Sequence, residues 1–452
     1  MDEQSNTSLP TNEQTREDAL QTQEKKPPQM RRVWYVVLSV VMAVVFFMGG
    51  VLTVWLSLDP QMRSLVRLKN KIDKKYYYTV DDEQFYGALF GAINTQILDS
   101  YSEYLTVDEY EQMQLEGQGN RAGLGLVIST AEIDSAPLRI ARVCGNSPAE
   151  KAGIIAGEYI VGVGKSAESI VPVADFTQFS SALGEIAENT DVYLSLRSGS
   201  SVRLVCLQKQ EYVENYVFYR TKDTAYRFTG NNALQKEQYN APLAGLPENA
   251  AYIRLTQFNG SAAEQFAQAM SLFKEQNKQR LVLDLRQNGG GYLHILTEIA
   301  AYFCKDGGDK PTVAIADYGV SKEYYQASKN VYAKYFGTDS EIYVLADDGT
   351  ASAAEALMGC MLDYGATSYG NICLIAKNGV AKTYGKGIMQ TTYPLSGGKT
   401  DAVKLTTARI VWPKTQTCIH DIGITQNSGT KWVVANERDE TELQDAISEI
   451  FH

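Results

Sequence analysis

The stretch LVLDLRQNGGGYL, residues 281–293, joins a buried-strand pattern to three consecutive glycines. Its first five residues form an almost unbroken apolar run of strand length, which is typical of a strand that is covered on both faces. The glycines that follow would expose backbone N–H groups at the carboxyl end of this strand, where ligand sites of α/β sheets gather. A flexible loop would explain the glycines equally well when they are taken alone.

Strand and helix signals alternate on both sides of this stretch. AYIRLTQF (251–258) precedes a helix signal that starts at Ser261, and LVLDL precedes another that starts at Tyr292. IYVLAD (342–347) precedes a third, which starts at about Ser352. Because parallel strands need crossover connections, this alternation predicts an α/β layer built on a parallel sheet.

The region before this layer has a different pattern. Residues 82–114 read as helical pieces around a loop at 99–102. Residues 119–212 are punctuated by glycines and contain short β-like runs, with one helical stretch at 176–187. The pattern predicts a separate unit of short strands.

The amino-terminal part predicts a tail and a membrane anchor. Residues 1–32 form a polar, Gln-rich tail that we expect to be disordered. Residues 33–58 contain no charge, and as a helix they would span about 39 Å. A buried core helix and a cleaved signal peptide are the alternatives, but the polar tail is long for a signal peptide and no A-x-A-like site follows.

The orientation of this anchor is not decided by flanking charge, because Lys and Arg residues occur on both sides of it. Large domains are translocated largely regardless of such charges. We therefore expect a single-pass protein of the cell membrane whose amino terminus is inside and whose bulk is extracytoplasmic.

Composition excludes several classes of function. The 452 residues contain 42 Lys and Arg against 53 Asp and Glu, a net charge of −11, which argues against a nucleic-acid partner. The three histidines, His294, His420 and His452, cannot build multi-histidine metal sites, so a hydrolase would need another base. The six cysteines form no C-x-x-C pair, which argues against structural zinc.

A candidate nucleophile lies in GTASAAE, residues 349–355. Ser-x-x-Glu before an apolar run is a helix capping box, and the same tetrapeptide begins at Ser261, so the motif alone predicts only a helix start. Ser352 differs because it follows a strand and the Gly349 turn. Such a junction exposes a hydroxyl and directs N–H groups of the helix start toward a developing oxyanion.

A candidate base lies in YGKGIMQ, residues 384–390. An isolated lysine is usually a surface residue, but the glycines around Lys386 favour a confined one. If a strand starts here, Lys386 and Gln390 share a face. GVGKS (162–166) ends like a phosphate-binding loop, but Tyr159 stands where that motif needs glycine, so a β-turn is the better interpretation.

A glycine-rich turn indicates a peptide-binding site in residues 119–212. Gly123, Leu124, Gly125 and Leu126 precede a strand, and such a turn can direct N–H groups toward a terminal carboxylate. SPAEKAGIIAGEYI (147–160) resembles the PDZ domain segment SPAxxAGLxxGDxI. The resemblance implies a peptide groove at residues 124–126.

Over nearly the whole chain after the anchor, the sequence resembles the carboxyl-terminal processing, or tail-specific, proteases of peptidase family S41. AYIRLTQF, LVLDLRQNGGG, GTASAAE, YGKGIMQ and KLTTARIVWPKTQTCIHDIGI occur in family order. The resemblance implies an α/β protease core of ClpP/crotonase-like parallel-sheet layers with an inserted α+β PDZ domain and one transmembrane helix. The implied divisions are a tail at 1–32, an anchor at 33–58, a helical region at 60–116, the PDZ domain at 119–212 and the protease core at 213–452.

The resemblance also implies roles for single residues. Ser352 matches the nucleophile, Lys386 the general base and Gln390 the residue that orients the lysine. The amide of Ala353 and one from Gly290 or Gly291 would form the oxyanion hole. No metal or organic cofactor is implied. Ser-Lys pairing suits a chain with few histidines, and it requires burial to lower the lysine pKa from about 10.4.

Two features depart from the family pattern. The interval of 34 positions from Ser352 to Lys386 is several residues longer than the usual spacing, which leaves Lys377 or Lys382 as alternative bases. The family's S-A-S-E is here Ser-Ala-Ala-Glu, which keeps the nucleophile.

The implied function is that of a membrane-anchored serine endopeptidase that receives C-terminal tails of protein substrates in the PDZ domain. An inactive peptide-binding scaffold is the alternative, and homodimerisation stays open.

Overall fold

The computed structural model describes residues 29–128, 138–229, 235–239, 241–435 and 439–451. It forms two compact units, which divide between Leu89 and Phe90. The prediction of a disordered tail concerns residues 1–32, of which 1–28 lie outside the described part of the chain.

The first unit contains helix α1 (Gln29–Ser57) and helix α2 (Pro60–Lys75). Val33–Ser57 of α1 is long and apolar enough to cross a membrane, and none of it is buried, so α1 is not a core helix. An anchor and a signal sequence both meet this criterion. Helix α2 begins at Pro60, and its first turn is capped by the Asp59 carboxylate, which accepts the Gln61 N–H at 2.7 Å.

Three elements frame the predicted loop at 99–102, and the division between the two units falls within the first of them. Helix α3 (Asp82–Gln96), strand β1 (Glu103–Leu105) and helix α4 (Val107–Gly117) follow in order. The two predicted helical pieces are confirmed, while strand β1 was not predicted. A capping box between Thr106 and Glu109 begins α4.

The next segment, residues 119–213, is here called the intermediate region, and it has its own apolar core. Its elements are β2 (Asn120–Gly123), β3 (Leu126–Ile128), β4 (Ile140–Val143), α5 (Pro148–Lys151), β5 (Tyr159–Gly164), β6 (Val171–Pro172), α6 (Phe176–Gly184), β7 (Asp191–Ser198), β8 (Ser201–Gln208) and β9 (Gln210–Val213). Strands β6, β5, β7 and β8 form an antiparallel sheet in that order, while β2 pairs with β9 and β3 with β4. The GVGKS segment runs from β5 into a turn in which the Ser166 N–H donates to Ser169 Oγ at 2.9 Å.

The rest of the unit is the core of the chain. It contains β10 (Val217–Arg220), β11 (Ala225–Thr229), β12 (Gln235–Gln238), β13 (Ala250–Leu255), α7 (Ala262–Glu275), β14 (Arg280–Asp284), α8 (Leu293–Ala300), β15 (Thr312–Asp317), β16 (Lys322–Gln326), α9 (Tyr332–Tyr335), β17 (Glu341–Ala346), α10 (Ala353–Asp363), β18 (Ile372–Ala376), β19 (Ile388–Pro394), β20 (Ala402–Val411), β21 (Lys431–Val434) and α11 (Asp439–Phe451).

An eight-stranded sheet in the order β12-β11-β10-β13-β14-β17-β18-β21 organises the core. Its last five strands are parallel, which confirms the parallel layer, whereas β10, β11 and β12 are antiparallel. Asp284 of β14 pairs with Leu345 of β17, so the loops that leave these two strands begin side by side.

Both faces of this sheet are covered, which explains the apolar run in β14. Leu281 and Leu283 pack into the cluster that contains α7, α8 and α10, while Val282 packs into a second cluster with Leu443 and Ile447 of α11. Successive strand residues therefore lie in different cores.

A second, antiparallel sheet packs on the opposite side of helices α8 and α10. It has the order β1-β20-β15-β16, with β19 also paired to β20. Ala408, Ile410 and Trp412 contribute to the large apolar cluster from this side. This sheet was not predicted, and it carries both the 99–102 loop and the segment that follows Lys386.

Candidate active site

Ser352 lies in the turn between β17 and α10, directly before the first residue of the helix. Its backbone has φ 56° and ψ −117°, a conformation that residues other than glycine rarely adopt. Such strain costs about 1–3 kcal/mol and persists only where the surroundings enforce it. The turn keeps the Ser352 side chain partly exposed, while Ala351 and Ala353 on either side are buried.

The Asp347 carboxylate and the Thr350 hydroxyl enforce this turn. Asp347 accepts the backbone N–H of Gln287 at 2.9 Å and that of Gly349 at 3.0 Å. The Thr350 hydroxyl donates to the Leu285 carbonyl at 2.8 Å. Burial raises the pKa of Asp347. The loops after β14 and β17 are thus joined into one structure.

The glycines of residues 289–291 pack directly against Ser352. Gly290 has φ +99°, and a Cβ atom there would lie 2.8 Å from Ala353 N and from Ser352 Cβ. Only glycine fits at such a distance. The Gly290 N–H is already used, because it donates to Asn288 Oδ1 at 2.9 Å.

Two backbone N–H groups beside Ser352 are free to bind a ligand. Within the described ranges, the N–H groups of Gly291 and Ala353 donate to no protein acceptor. Both residues line a cavity of about 240 Å³ together with Ser352. Of the two predicted oxyanion-hole glycines, the geometry favours Gly291.

Gln390 lines the same cavity, and its other walls include Tyr292 and Met389. The Gln390 Nε2 is buried, and among the residues that the structure describes it has no hydrogen-bond partner. Lys386 does not line this cavity. Strand β19 begins only at Ile388, and its register with β20 shifts between Met389 and Gln390, so the condition for a shared strand face with Lys386 is not met.

Glu355 joins the turn of Ser352 to the segment of Lys386. Its buried carboxylate accepts the backbone N–H groups of Ser352 at 3.1 Å, Gly385 at 2.8 Å and Lys386 at 2.8 Å. It also accepts the Thr383 hydroxyl at 2.5 Å. Burial raises the pKa of Glu355.

The glycines that flank Lys386 are required by close packing. A Cβ atom on Gly385 would lie 3.0 Å from Gly423 N, and one on Gly387 would lie 2.7 Å from His420 N. Lys386 is consequently partly buried. Burial lowers the pKa of Lys386, and the positive charge of Lys404 lowers it further.

The Lys386 amine faces an aromatic ring. Its Nζ lies 5.2 Å from the ring centroid of Tyr101. Among the described residues it makes no hydrogen bond or ion pair, and none joins it to Ser352 or Gln390. The structure thus brings Ser352 and Gln390 into one cavity, which Lys386 does not line.

The two alternative lysines lie in other surroundings. Lys377 forms an ion pair with Asp348 at 3.6 Å. Lys382 pairs as a β-bridge with Thr425. Neither lines the cavity of Ser352.

A second cavity, of about 170 Å³, lies in the intermediate region at the predicted peptide groove. Leu124, Gly125 and Leu126 line it, and Phe179 and Leu183 of α6 form the opposite wall. Gly123 ends β2 beside it. Glu116, at the end of α4, also reaches this cavity and was not predicted.

The sequence did not reveal the contacts that two further residues, Tyr101 and Glu355, make with the segment of Lys386. Tyr101 was recognised only as part of a loop, because no local pattern relates it to Lys386. Glu355 was recognised as a capping residue, but its bonds to residues 383–386 depend on tertiary structure.

A serine at a strained strand-to-helix turn, beside free backbone N–H groups, is an arrangement found in hydrolytic enzymes. The model of peptidase family S41 matches residues 249–429, and this part of the chain belongs to that family.

Several relatives extend the similarity beyond the core. The chain is 30% identical over 332 residues to "Carboxyl-terminal-processing peptidase 2, chloroplastic" of Arabidopsis thaliana, which covers 72% of this chain and 57% of that protein. It is 25% identical over 426 residues to "Probable CtpA-like serine protease" of Staphylococcus saprophyticus, covering 92% and 76%. The chain therefore spans little more than half the length of the Arabidopsis relative.

The solved "Photosystem II D1 C-terminal processing protease" is also similar. The two chains are 23% identical with a TM-score of 0.48, covering 81% of this chain and 86% of that one.

Proposed function

We propose that this chain is a serine endopeptidase that cleaves protein substrates near their C-terminal tails, with Ser352 as nucleophile and Lys386 as general base. The observation that carries the proposal is the strained turn of Ser352 beside the unused N–H groups of Ala353 and Gly291. Donors fixed before the reaction are worth most where negative charge develops.

The proposed reaction follows from these positions. The neutral Lys386 amine accepts the hydroxyl proton of Ser352, and the serine oxygen attacks the peptide carbonyl. The oxyanion is bound by the N–H groups of Ala353 and Gly291. The C–N bond breaks as the leaving nitrogen takes the proton from Lys386, and water then hydrolyses the ester by the reverse sequence.

The lowered pKa of Lys386 supports its proposed role, because a lysine must be neutral to accept a proton. In the proposed reaction, Lys386 Nζ comes within hydrogen-bonding distance of the Ser352 hydroxyl when substrate is bound. Hydrogen bonds between catalytic groups are often long before substrate binds. The free Nε2 of Gln390 would bind substrate or orient the lysine from the cavity side.

The intermediate region is proposed as a PDZ domain that receives the substrate tail. An extended tail would pair with β3 beside α6, with its terminal carboxylate at the turn of residues 123–126. The predicted divisions at 60–116, 119–212 and 213–452, and the ClpP/crotonase-like layering, belong to this proposal. So does anchoring by α1 with the catalytic core outside the cell.

A specific observation favours the inactive scaffold as a second candidate. Ser352 and Lys386 are not hydrogen-bonded to each other in the part of the chain that is described. A scaffold would keep the tail-binding groove without needing this pair.

Cleavage of an unfolded protein with an apolar C-terminus separates the two candidates. The full chain in detergent should cleave it, and both Ser352→Ala and Lys386→Ala should abolish cleavage while a Lys382→Ala control retains it. Cleavage that persists in Ser352→Ala would refute the proposal. Binding of the tail with no cleavage by the unmodified chain would establish the scaffold.

A further inference from the structure

Among the described residues, the Lys386 amine has one direct side-chain contact, the aromatic ring of Tyr101. The amine lies over the face of its ring, 5.2 Å from the centroid, within the range of cation–π attraction. The ring face carries negative electrostatic potential but offers no lone pair that would compete for a proton. It can therefore stabilise an ammonium without acting as its hydrogen-bond acceptor.

The ring is held in place by the backbone around it. The Tyr101 N–H donates to Asp99 Oδ1 at 2.9 Å, and the Thr406 N–H donates to Ser102 Oγ at 2.8 Å. Strand β1, which follows at once, pairs with β20. The loop of Tyr101 and the segment after Lys386 are thereby fixed to the same antiparallel sheet.

Two other rings lie beside the Tyr101 ring. The centroid of His420 lies 6.1 Å from that of Tyr101, and the centroid of Tyr384 lies at 6.4 Å in an edge arrangement. Such contacts leave few alternative orientations for the Tyr101 ring.

We propose that Tyr101 is a positioning residue for Lys386, whose ring face holds the amine and stabilises the ammonium that forms when Lys386 takes the Ser352 proton. The inference rests on the proposed Ser-Lys function and adds a residue to it. Cation–π attraction of the usual strength changes the equilibrium constant for protonation of the Lys386 amine by roughly 2- to 30-fold.

Other charges act on the same amine and must stay constant in a test. Those that act on Lys386 directly are Lys404, Asp99, Glu103 and Glu355. The titratable groups around the Tyr101 ring are Tyr384, His420, Asp421 and Glu355. Substitutions at Tyr101 leave all of them in the chain.

The test compares Tyr101→Leu, which removes the ring but keeps an apolar cover, with Tyr101→Phe, which keeps the ring face. Two readouts are needed, the pH dependence of kcat in the full chain and the NMR titration of [13Cε]lysine at position 386 in a Ser352→Ala background. Because loss of the ring destabilises the ammonium, Tyr101→Leu should move both midpoints to lower pH. It should also lower the plateau of kcat by roughly 2- to 30-fold with little change in KM.

The Tyr101→Phe variant should match the unmodified chain in both readouts. A merely structural tyrosine would lower the active fraction in Tyr101→Leu without moving either midpoint, and that result would overturn the inference. Equal midpoints in the Leu and Phe variants would overturn it as well. Full activity of Lys386→Ala would instead remove the proposed function on which the inference rests.

Discussion

The carboxylate of Glu355 accepts the backbone N–H of Lys386 at 2.8 Å, although 31 positions separate the two residues. The same carboxylate oxygen accepts the N–H of Ser352 at 3.1 Å. One buried side chain therefore fixes the backbone of both the proposed nucleophile and the proposed base. Their relative position depends on Glu355 more directly than on the extended loop between them.

Glu355→Gln should lower both activity and stability. The amide keeps one acceptor oxygen where the carboxylate serves four donors, so buried N–H groups lose their partner. Each buried donor without a partner costs about 1–3 kcal/mol. We expect that much loss in the free energy of unfolding, measured in urea, and a fall in kcat of about tenfold or more.

The chain contains a matched control for this substitution. Glu264 occupies the same place in the tetrapeptide Ser-Ala-Ala-Glu, but it is exposed on α7. Glu264→Gln should change the unfolding free energy by less than about 0.5 kcal/mol and leave kcat unchanged. Equal effects at both positions would contradict the proposed importance of the Glu355 bonds to residues 383–386.

The pH dependence of kcat should respond to Lys404. Burial and the charge of Lys404 lower the pKa of Lys386, and a general base works only when neutral, so kcat should rise with pH through this lowered pKa. Lys404→Met removes a positive neighbour and also frees Glu103, its ion-pair partner. Both changes favour the ammonium form of Lys386. The rising limb of the pH profile of kcat should therefore move to higher pH.

Lys399→Met is the control for charge in this experiment. Lys399 pairs with exposed Glu111, and it is not among the groups that act on Lys386. The same loss of one positive charge should leave the rising limb in place at fixed ionic strength. A limb that fails to move in Lys404→Met would argue against Lys386 as the titrating base.

Leu183→Glu should impair substrate capture without impairing chemistry. Leu183 lines the groove cavity between β3 and α6, where an apolar tail residue and the terminal carboxylate would be bound. A carboxylate there removes apolar contact worth about 1.5 kcal/mol or more and repels the tail. KM for a substrate with an apolar tail should rise about tenfold, with kcat unchanged.

Phe176→Glu tests whether this effect belongs to the groove. Phe176 lies on the same helix but is 52% exposed and does not line the cavity. KM should stay at its original value in this variant. If both variants raise KM equally, net charge rather than the groove is responsible.

Local patterns in the sequence were sufficient for the parallel layer and for the turn of Ser352. The strand around Leu281 could be predicted because its apolar run packs into two cores at once. The turn of Ser352 could be predicted because a strand, Gly349 and a capping box follow one another in the sequence. Each of these signals lies within about ten residues.

The antiparallel sheet and the surroundings of Lys386 lack such local signals. Strand β20 mixes polar and apolar residues because it is half-buried, and β1 has three residues whose partners lie at the far end of the chain. Tyr101 meets Lys386 only through this long-range pairing. Contacts of this kind are set by tertiary structure and leave little periodicity to recognise.

The position of α10 should depend on Gly359. A Cβ atom at this position would lie 2.1 Å from Trp412 Nε1, so the helix can pack against the antiparallel sheet only with glycine there. Gly359→Ala should force α10 away from Trp412 and reduce the unfolding free energy by about 1–3 kcal/mol. Since Ser352 precedes α10, kcat should fall as well.

Gly91→Ala is the control, because a Cβ atom at Gly91 on exposed helix α3 would have no other atom within 4 Å. This substitution should leave the free energy of unfolding unchanged or raise it by up to about 1 kcal/mol. Urea unfolding and kcat should be measured for both variants. An unchanged free energy of unfolding in Gly359→Ala would contradict the close packing of α10 on Trp412.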